Sequence, residues 1–161
     1  GAHRVVVADV LDGKLQLAKQ LGADLTVNLK KENLNEIVAD LTHGAGADVV
    51  VEAAGSESSF NTASEIIRHN GKFVFYSWVT QPITLNISRW HDDGLEFINT
   101  CLVHHTWRER YVWTPATLRP VMQGQIQIKP LITNEFKLED IKAGFDLADK
   151  DDSAIKIVFR I

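Results

Sequence analysis

At 161 residues, 45% of them apolar, and with a formal net charge of −4, the chain has the composition of one soluble domain large enough to bury a core. The acidic balance and the lack of any long basic run exclude a nucleic-acid footprint. No apolar stretch approaches the roughly 20 residues a membrane helix needs, and no signal peptide is visible at the N-terminus. The single cysteine, Cys101, excludes an internal disulfide and a Cys-rich zinc site, and a reduced, cytoplasmic setting is the default.

Val5 to Ala8 is an apolar, mostly β-branched run, the pattern of a parallel strand buried on both faces. Asp9 ends it. In open α/β sheets ligands bind at the carboxyl ends of the strands, and an acid after the second strand of a dinucleotide-binding fold accepts hydrogen bonds from the adenosine ribose while repelling a 2′-phosphate. The alternative for Asp9 is an ordinary helix-capping or turn aspartate. A helix follows from Asp12, a possible cap, to Leu21, with Leu15, Ala18 and Leu21 on one face and Gly22 as its stop.

Leu25 to Asn28 is a short strand, and Glu32 to Thr42 a helix with Leu34, Ile37, Val38 and Leu41 on one face, ended by His43-Gly44-Ala45-Gly46. Ala47 to Gly55 is a largely apolar strand that stops at a small-residue turn. The spacing predicts a helix over Ser56–His69, with Phe60, Ala63, Ile66 and Ile67 facing inward, then a strand over Lys72–Trp78. This βαβαβαβ order with short connections predicts a parallel sheet with right-handed crossovers.

The second half differs. Pro82–Ile87 and Leu95–Val103 read as extended. Thr114-Pro115 opens a helix in cap-then-proline order, with Leu118, Val121 and Met122 inward, and Pro120 should kink or shorten it. Ile126–Phe136 reads as extended or irregular, Leu138–Lys150 as a helix with Ile141, Phe145 and Ala148 on its core side, and Ile155–Ile161 as a final strand.

Four stretches resemble, in order, the coenzyme-binding half of the medium-chain dehydrogenases, the zinc-type alcohol and polyol dehydrogenase family. They are Arg4-Val5-Val6-Val7-Ala8-Asp9 running into Leu17-Ala18-Lys19-Gln20-Leu21-Gly22-Ala23-Asp24; Gly46-Ala47-Asp48-Val49-Val50-Val51-Glu52-Ala53-Ala54-Gly55; Gly71-Lys72-Phe73-Val74; and Pro130-Leu131-Ile132-Thr133 with Phe136-Lys137-Leu138-Glu139-Asp140-Ile141 and Ala143-Gly144-Phe145. The resemblance leaves out residues from Trp78 to about Thr114. It implies a Rossmann-like, doubly wound, mostly parallel sheet in an αβα arrangement, with residues 1–161 as a single partial NAD(P)-binding domain that includes the C-terminal helix and strand.

For the cofactor, NAD, the resemblance implies a ribose site at Asp9 and the adjoining Val10, with Lys14 as a second ribose contact. It also implies that Ala53-Ala54-Gly55 passes close to the adenine-side ribose and pyrophosphate, that Tyr76-Ser77-Trp78 lies beside the nicotinamide, and that Lys156 sits near the phosphates. The chain departs from the family at Ser77, where Gly is usual, and at Trp78, where a small aliphatic is usual; a hydrophobic lid or interface residue is the alternative for Trp78. NAD over NADP follows from Asp9, because no Arg comes directly after it.

No Gly-x-Gly-x-x-Gly turn following a strand is present: Gly44-x-Gly46 precedes a strand, and Val49 stands where the third glycine belongs. Gly1-Ala2 resemble the tail of an earlier helix, and the family's first strand would lie between the Val5 and Val49 strands. Those two strands then either close on each other or have the gap filled from elsewhere. The family's zinc ligands and substrate pocket would also lie upstream, so the chain is expected to be part of a longer enzyme and inactive alone. None of the six histidines builds a metal site: His104 and His105 are adjacent, and His91-Asp92-Asp93 reads better as a solvated loop.

The leading expectation is therefore the NAD-binding part of an alcohol or polyol dehydrogenase. A zinc-free quinone-reductase-like relative is an alternative. So is a dimerisation module in which segments 82–87 and 95–103 pair across a two-fold axis, since Trp78, Trp90, Trp107, Tyr111 and Trp113 crowd that region. A methyltransferase-like nucleotide fold also carries an acid after its second strand, but fits the last helix and strand poorly.

Overall fold

The computed structural model describes residues 1–100 and 107–161, with the backbone alone over 107–113. Cys101, His104, His105 and the end of the expected 95–103 strand lie outside the described residues, as do the side chains of Trp107, Tyr111 and Trp113. In chain order the elements are β1 (Val6–Asp9), α1 (Asp12–Gln20), β2 (Leu25–Asn28), α2 (Leu34–Thr42), β3 (Ala47–Glu52), α3 (Glu57–Ile66), β4 (Ile67–Phe75), α4 (Ser88–Asp92), β5 (Glu96–Asn99), α5 (Trp107–Met122), β6 (Ile132–Lys137), α6 (Ile141–Lys150) and β7 (Lys156–Arg160). Every ladder is parallel, as the alternation of strands and helices requires. Among the described residues no helix is long and apolar enough to cross a membrane.

Two compact units result, one of residues 1–32 with 107–161 and one of residues 33–106. In the first, β1 pairs with β2, placing Asp9 opposite Asn28, and α1 packs on both strands with Leu15, Ala23 and Val27 buried. The stop at Gly22 is a Schellman motif: Gly22 has φ +107, Ala23 N–H donates to Ala18 C=O at 3.0 Å, and Gly22 N–H donates to Lys19 C=O at 3.2 Å. Asp12 is not the cap. Leu11 holds that position, and the chain enters the helix through a turn built on Asp9 instead. Nor is the Val5 run buried on both faces. Val5 is exposed and Val6–Asp9 half-buried, because within its unit β1 has one ladder partner among the described residues.

The same unit contains β6 paired with β7 and covered by α6. Here the buried side of α6 differs from the expectation. Gly144 is the buried residue, seated against Phe159 and Phe136, whereas Phe145 is 64% exposed and Ile141 and Ala148 are exposed as well. A side chain at Gly144 would collide with the Phe159 ring, so the helix presents its one residue without a side chain and Phe145 stacks at the rim, 6.0 Å from the same ring. The helix begins at Ile141, after a 3₁₀ turn over Leu138–Asp140. Helix α5 runs through both Pro115 and Pro120 instead of opening at Thr114, and leaves Leu118 and Met122 exposed.

In the second unit the strand order is β3-β4-β5, with β4 in the middle. Phe60, Ala63, Ile67 and Phe73 form the buried cluster, joined by Val50, Phe75, Val79, Ile83, Leu85 and Leu95. Trp90 packs into this unit, 4.2 Å from the Phe97 ring, and its indole N–H donates to Ser64 Oγ at 3.0 Å. The helix expected to reach His69 ends at Ile66, and the chain turns at once into β4. Ile67 is extended and almost fully buried, and Asn70 takes φ +54 with its N–H donating to Asp93 C=O at 2.7 Å. Asp93 is no solvated loop residue either. It is buried, 2.6 Å from Arg89 and 3.1 Å from His69.

The segment 82–87 forms no strand. It lies along α3, where Thr84 N–H donates to Glu57 Oε2 at 3.0 Å and Asn86 N–H to Asn61 Oδ1 at 2.9 Å. Side chains of α3 thus satisfy backbone donors that a strand partner would otherwise take.

Gly46 is packed directly against backbone in this unit. At φ +89, a Cβ would lie 2.8 Å from Arg68 N, 2.9 Å from Ile66 O and 2.9 Å from Ile67 C, all backbone atoms of the α3–β4 junction. Gly124, at φ +70, has open space around it. Gly46→Ala should therefore destabilise by about 2–4 kcal/mol, combining left-handed strain with overpacking. Gly124→Ala should cost about 1–2 kcal/mol, the strain alone. Urea denaturation of the two variants checks the difference.

Candidate site at the carboxyl ends of the strands

Asp9 is the last residue of β1, and its carboxylate closes a local turn: Oδ1 accepts from Val10 N–H at 2.7 Å and from Leu11 N–H at 2.9 Å. Such an Asx-type turn fixes the direction of the side chain. Across the ladder Asn28 is buried and braces the same end of the sheet. Its Nδ2 donates to Asp12 Oδ1 at 2.6 Å, its N–H donates to Glu32 Oε2 at 2.9 Å, and its Oδ1 accepts from Lys30 N–H at 2.9 Å. Lys31 completes the group with an ion pair to Asp12 at 2.6 Å. The Lys31 ammonium and the Asn28 amide hold the Asp12 carboxyl below its ordinary range. Val10 is exposed and Lys14, in the first turns of α1, is half-buried. Lys156 is exposed at the first residue of β7, opposite Ile132.

The second unit holds the other candidates, and there the structure adds a residue the sequence reading missed. Glu52, the last residue of β3, is 3% exposed. Its Oε1 accepts from Ala54 N–H at 2.9 Å, Gly55 N–H at 2.8 Å and Ser59 Oγ at 2.7 Å; its Oε2 accepts from Ser77 Oγ. Its own carbonyl accepts from Tyr76 N–H at 3.0 Å and Ser77 N–H at 3.1 Å. One residue thus ties the turn after β3, the start of α3 and the end of β4. The Ser56 and Ser59 capping box at the start of α3 shares Ser59 with it.

Gly55, at φ +75, lets the turn close: a Cβ there would lie 3.0 Å from Trp78 O and 3.3 Å from Ser77 Cβ. Ala53-Ala54-Gly55 and Ser77-Trp78 are therefore brought together, while Tyr76 and Trp78 point outward, Trp78 being 77% exposed. The departure from the family pattern at Ser77 has a physical use, since a glycine there would leave Glu52 Oε2 without this donor. The signal for Glu52 was an acid closing the otherwise apolar Val49-Val50-Val51 run, the same signature that drew attention to Asp9. Among the described residues no group of three or more His, Cys, Asp or Glu comes together as a metal site.

Burial pushes the Glu52 carboxyl up, but hydrogen bonds from Ser77, Ser59, Gly55 and Ala54 outweigh it and leave the group below its ordinary value of 4.5. A carboxyl lowered by folding adds stability that is complete above its unfolded value and is lost as the pH falls through its folded one. Glu52→Gln should lower stability by about 1–3 kcal/mol at neutral pH. The gap to wild type should hold down to pH 4.5 and shrink below it, as urea titrations at stepped pH will read.

A family profile described as zinc-binding dehydrogenase matches residues 1–114. An erythritol/L-threitol dehydrogenase of Mycolicibacterium smegmatis is 30% identical over 155 residues, covering 96% of this chain and 41% of that protein. An L-threonine 3-dehydrogenase of Bacillus subtilis is 31% identical over 147 residues, covering 91% and 41%. Among solved structures, an alcohol dehydrogenase of Escherichia coli CFT073 complexed with NADH superposes with a TM-score of 0.82 at 21% identity, over 99% of this chain and 45% of that one; it shares the Rossmann-like fold. The chain spans about two fifths of the length of the curated relatives it matches. With parallel strands, crossover helices and acids at the strand ends already in place, the profile match over most of its length makes this chain a member of the zinc-binding dehydrogenase family.

Proposed function

We propose that this chain is the NAD(H)-binding part of an oxidoreductase that moves hydride between an alcohol or polyol carbon and nicotinamide. The observation that carries the reading is Asp9: a carboxylate at the carboxyl end of a parallel strand, aimed by its own turn, with exposed Val10 and no arginine beside it. Ribose hydroxyls donate to such a carboxylate, and a 2′-phosphate is repelled by it. Lys14 is the second ribose contact in this reading, and Lys156 the cation for the phosphates. The turn at Ala53–Gly55 fits a close ribose or pyrophosphate, since it carries nothing larger than a methyl group and its glycine is in the left-handed region. Tyr76, Ser77 and Trp78 supply the surface beside the nicotinamide. The bound cofactor supplies the hydride-accepting carbon; this chain binds and orients it.

Zinc has no fitting group among the described residues, so its ligands belong to other parts of the complete protein in this reading. Substrate recognition is likewise assigned outside this chain, with polyols and hydroxy amino acids the classes that the relatives' names suggest.

The test uses the complete product of the gene that encodes this sequence. Asp9→Ser with Val10→Arg should shift the NADH/NADPH affinity ratio toward NADPH by roughly ten- to a hundredfold, the worth of a charge-assisted hydrogen bond. An unchanged ratio by titration calorimetry would sink the ribose assignment.

A second reading, compatible with the first, is self-association through β5. It is the outer strand of its sheet, carries the partly exposed Phe97, and has a ladder partner on one side among the described residues. Sedimentation velocity should show a dimer that Ile98→Pro, which disturbs the edge backbone, dissociates. A monomer at high concentration removes this reading.

A further inference from the structure

Glu52 is an unusual group to bury. Its carboxylate is 3% exposed and accepts from two backbone N–H groups and two hydroxyls, all neutral. None of the ion pairs formed by the described residues includes it. Buried anions are ordinarily matched by a cation, because dipoles alone offset only part of the lost hydration. Glu52 also sits at the carboxyl end of β3, tied to Ser77 at the end of β4, on the side of parallel strands where ligands bind. The hydrogen bonds that hold it keep it ionised at neutral pH.

The two redox forms of a nicotinamide cofactor share the adenosine and both phosphates and differ in ring charge: cationic when oxidised, neutral when reduced. We propose that the buried Glu52 charge makes the nicotinamide end of the site favour the oxidised over the reduced cofactor, an inference that rests on the cofactor assignment above. Glu52 acts here through space and through the groups it positions, without touching the ring. The carboxylate lies one hydrogen bond behind Ser77 and behind the Ala54-Gly55 turn, so these groups would stand between it and a bound ring. For charges about 8–10 Å apart and an effective dielectric of about 25 to 50, one unit charge changes a preference by roughly three- to twentyfold.

Glu52→Gln separates charge from geometry. The glutamine Oε1 can accept from Ala54, Gly55 and Ser59 as before, and its Nε2 can donate to Ser77 Oγ, which is able to accept. Titration calorimetry of the complete gene product with each redox form should show the oxidised cofactor losing about three- to twentyfold more affinity than the reduced one in this variant. Ser77→Ala, which removes a donor and keeps the charge, should change both affinities by the same factor. Equal weakening of both forms in Glu52→Gln overturns the inference and leaves the cofactor assignment standing. A wild-type protein that binds neither form overturns both.

A second measurement needs no variant. By linkage, if Glu52 favours the oxidised ring, the oxidised ring must favour ionised Glu52. Carbon-13 titration of the Glu52 carboxyl should therefore give a lower pKa with oxidised cofactor than with an acid-stable tetrahydro analogue of the reduced form. Identical values overturn the inference.

Discussion

The carboxylate of Glu52 is the interaction on which the ligand end of the second unit depends. Four donors from the turn after β3, the first turn of α3 and the segment after β4 converge on its two oxygens. The Ala54 and Gly55 N–H groups have no ladder or helical partner, so the acid replaces secondary structure as the means of satisfying them. The left-handed Gly55 and the serines at 59 and 77 follow from it. Each either gives up a side chain so that the backbone can approach or offers a hydroxyl to the buried charge.

The first unit solves the same problem differently. Asp9 turns inward on its own backbone, and the bracing comes from Asn28, which reaches Asp12 in α1 and the Lys30–Glu32 loop. A neutral amide can donate and accept at once, so one buried Asn links helix and loop without burying a charge. The strand end is thereby tied to helix and loop while the acid stays half-buried. In both units the parallel ladder explains the placement: adjacent strands run the same way, so their carboxyl ends gather at one edge, and residues that end apolar runs are gathered with them.

Packing accounts for the places where periodicity misleads. The apolar spacing over 56–69 is helical as far as it can be read, yet the helix stops at Ile66. Gly46 allows the backbone entering β3 to meet the α3–β4 junction, Gly71 leaves room for the Ile67 side chain, and Ile67 fills the core from an extended residue. In α6 the apolar positions Ile141 and Phe145 mark a face, but the closest approach to the sheet is made by Gly144 because Phe159 occupies the space a side chain would need. An apolar stripe identifies which residues tolerate burial; shape complementarity selects which of them is buried.

What the sequence by itself determined is the class and much of the layout: parallel strands at Val6, Leu25, Ala47 and Lys156, crossover helices between strands, the Gly22 stop, and acids at strand ends. These are properties of contiguous residues, carried by periodicity, capping and backbone freedom within a few positions. The ligand-end roles of Asn28 and Glu52 were decided only by tertiary structure. Asn28 meets Asp12 across 16 residues and Glu52 meets Ser77 across 25, so their partners are set by which strands lie side by side. A local pattern cannot encode a hydrogen bond whose other half arrives with a neighbouring strand, and that is the physical reason the partners of the buried acid, though not the acid itself, could be read only from the folded chain.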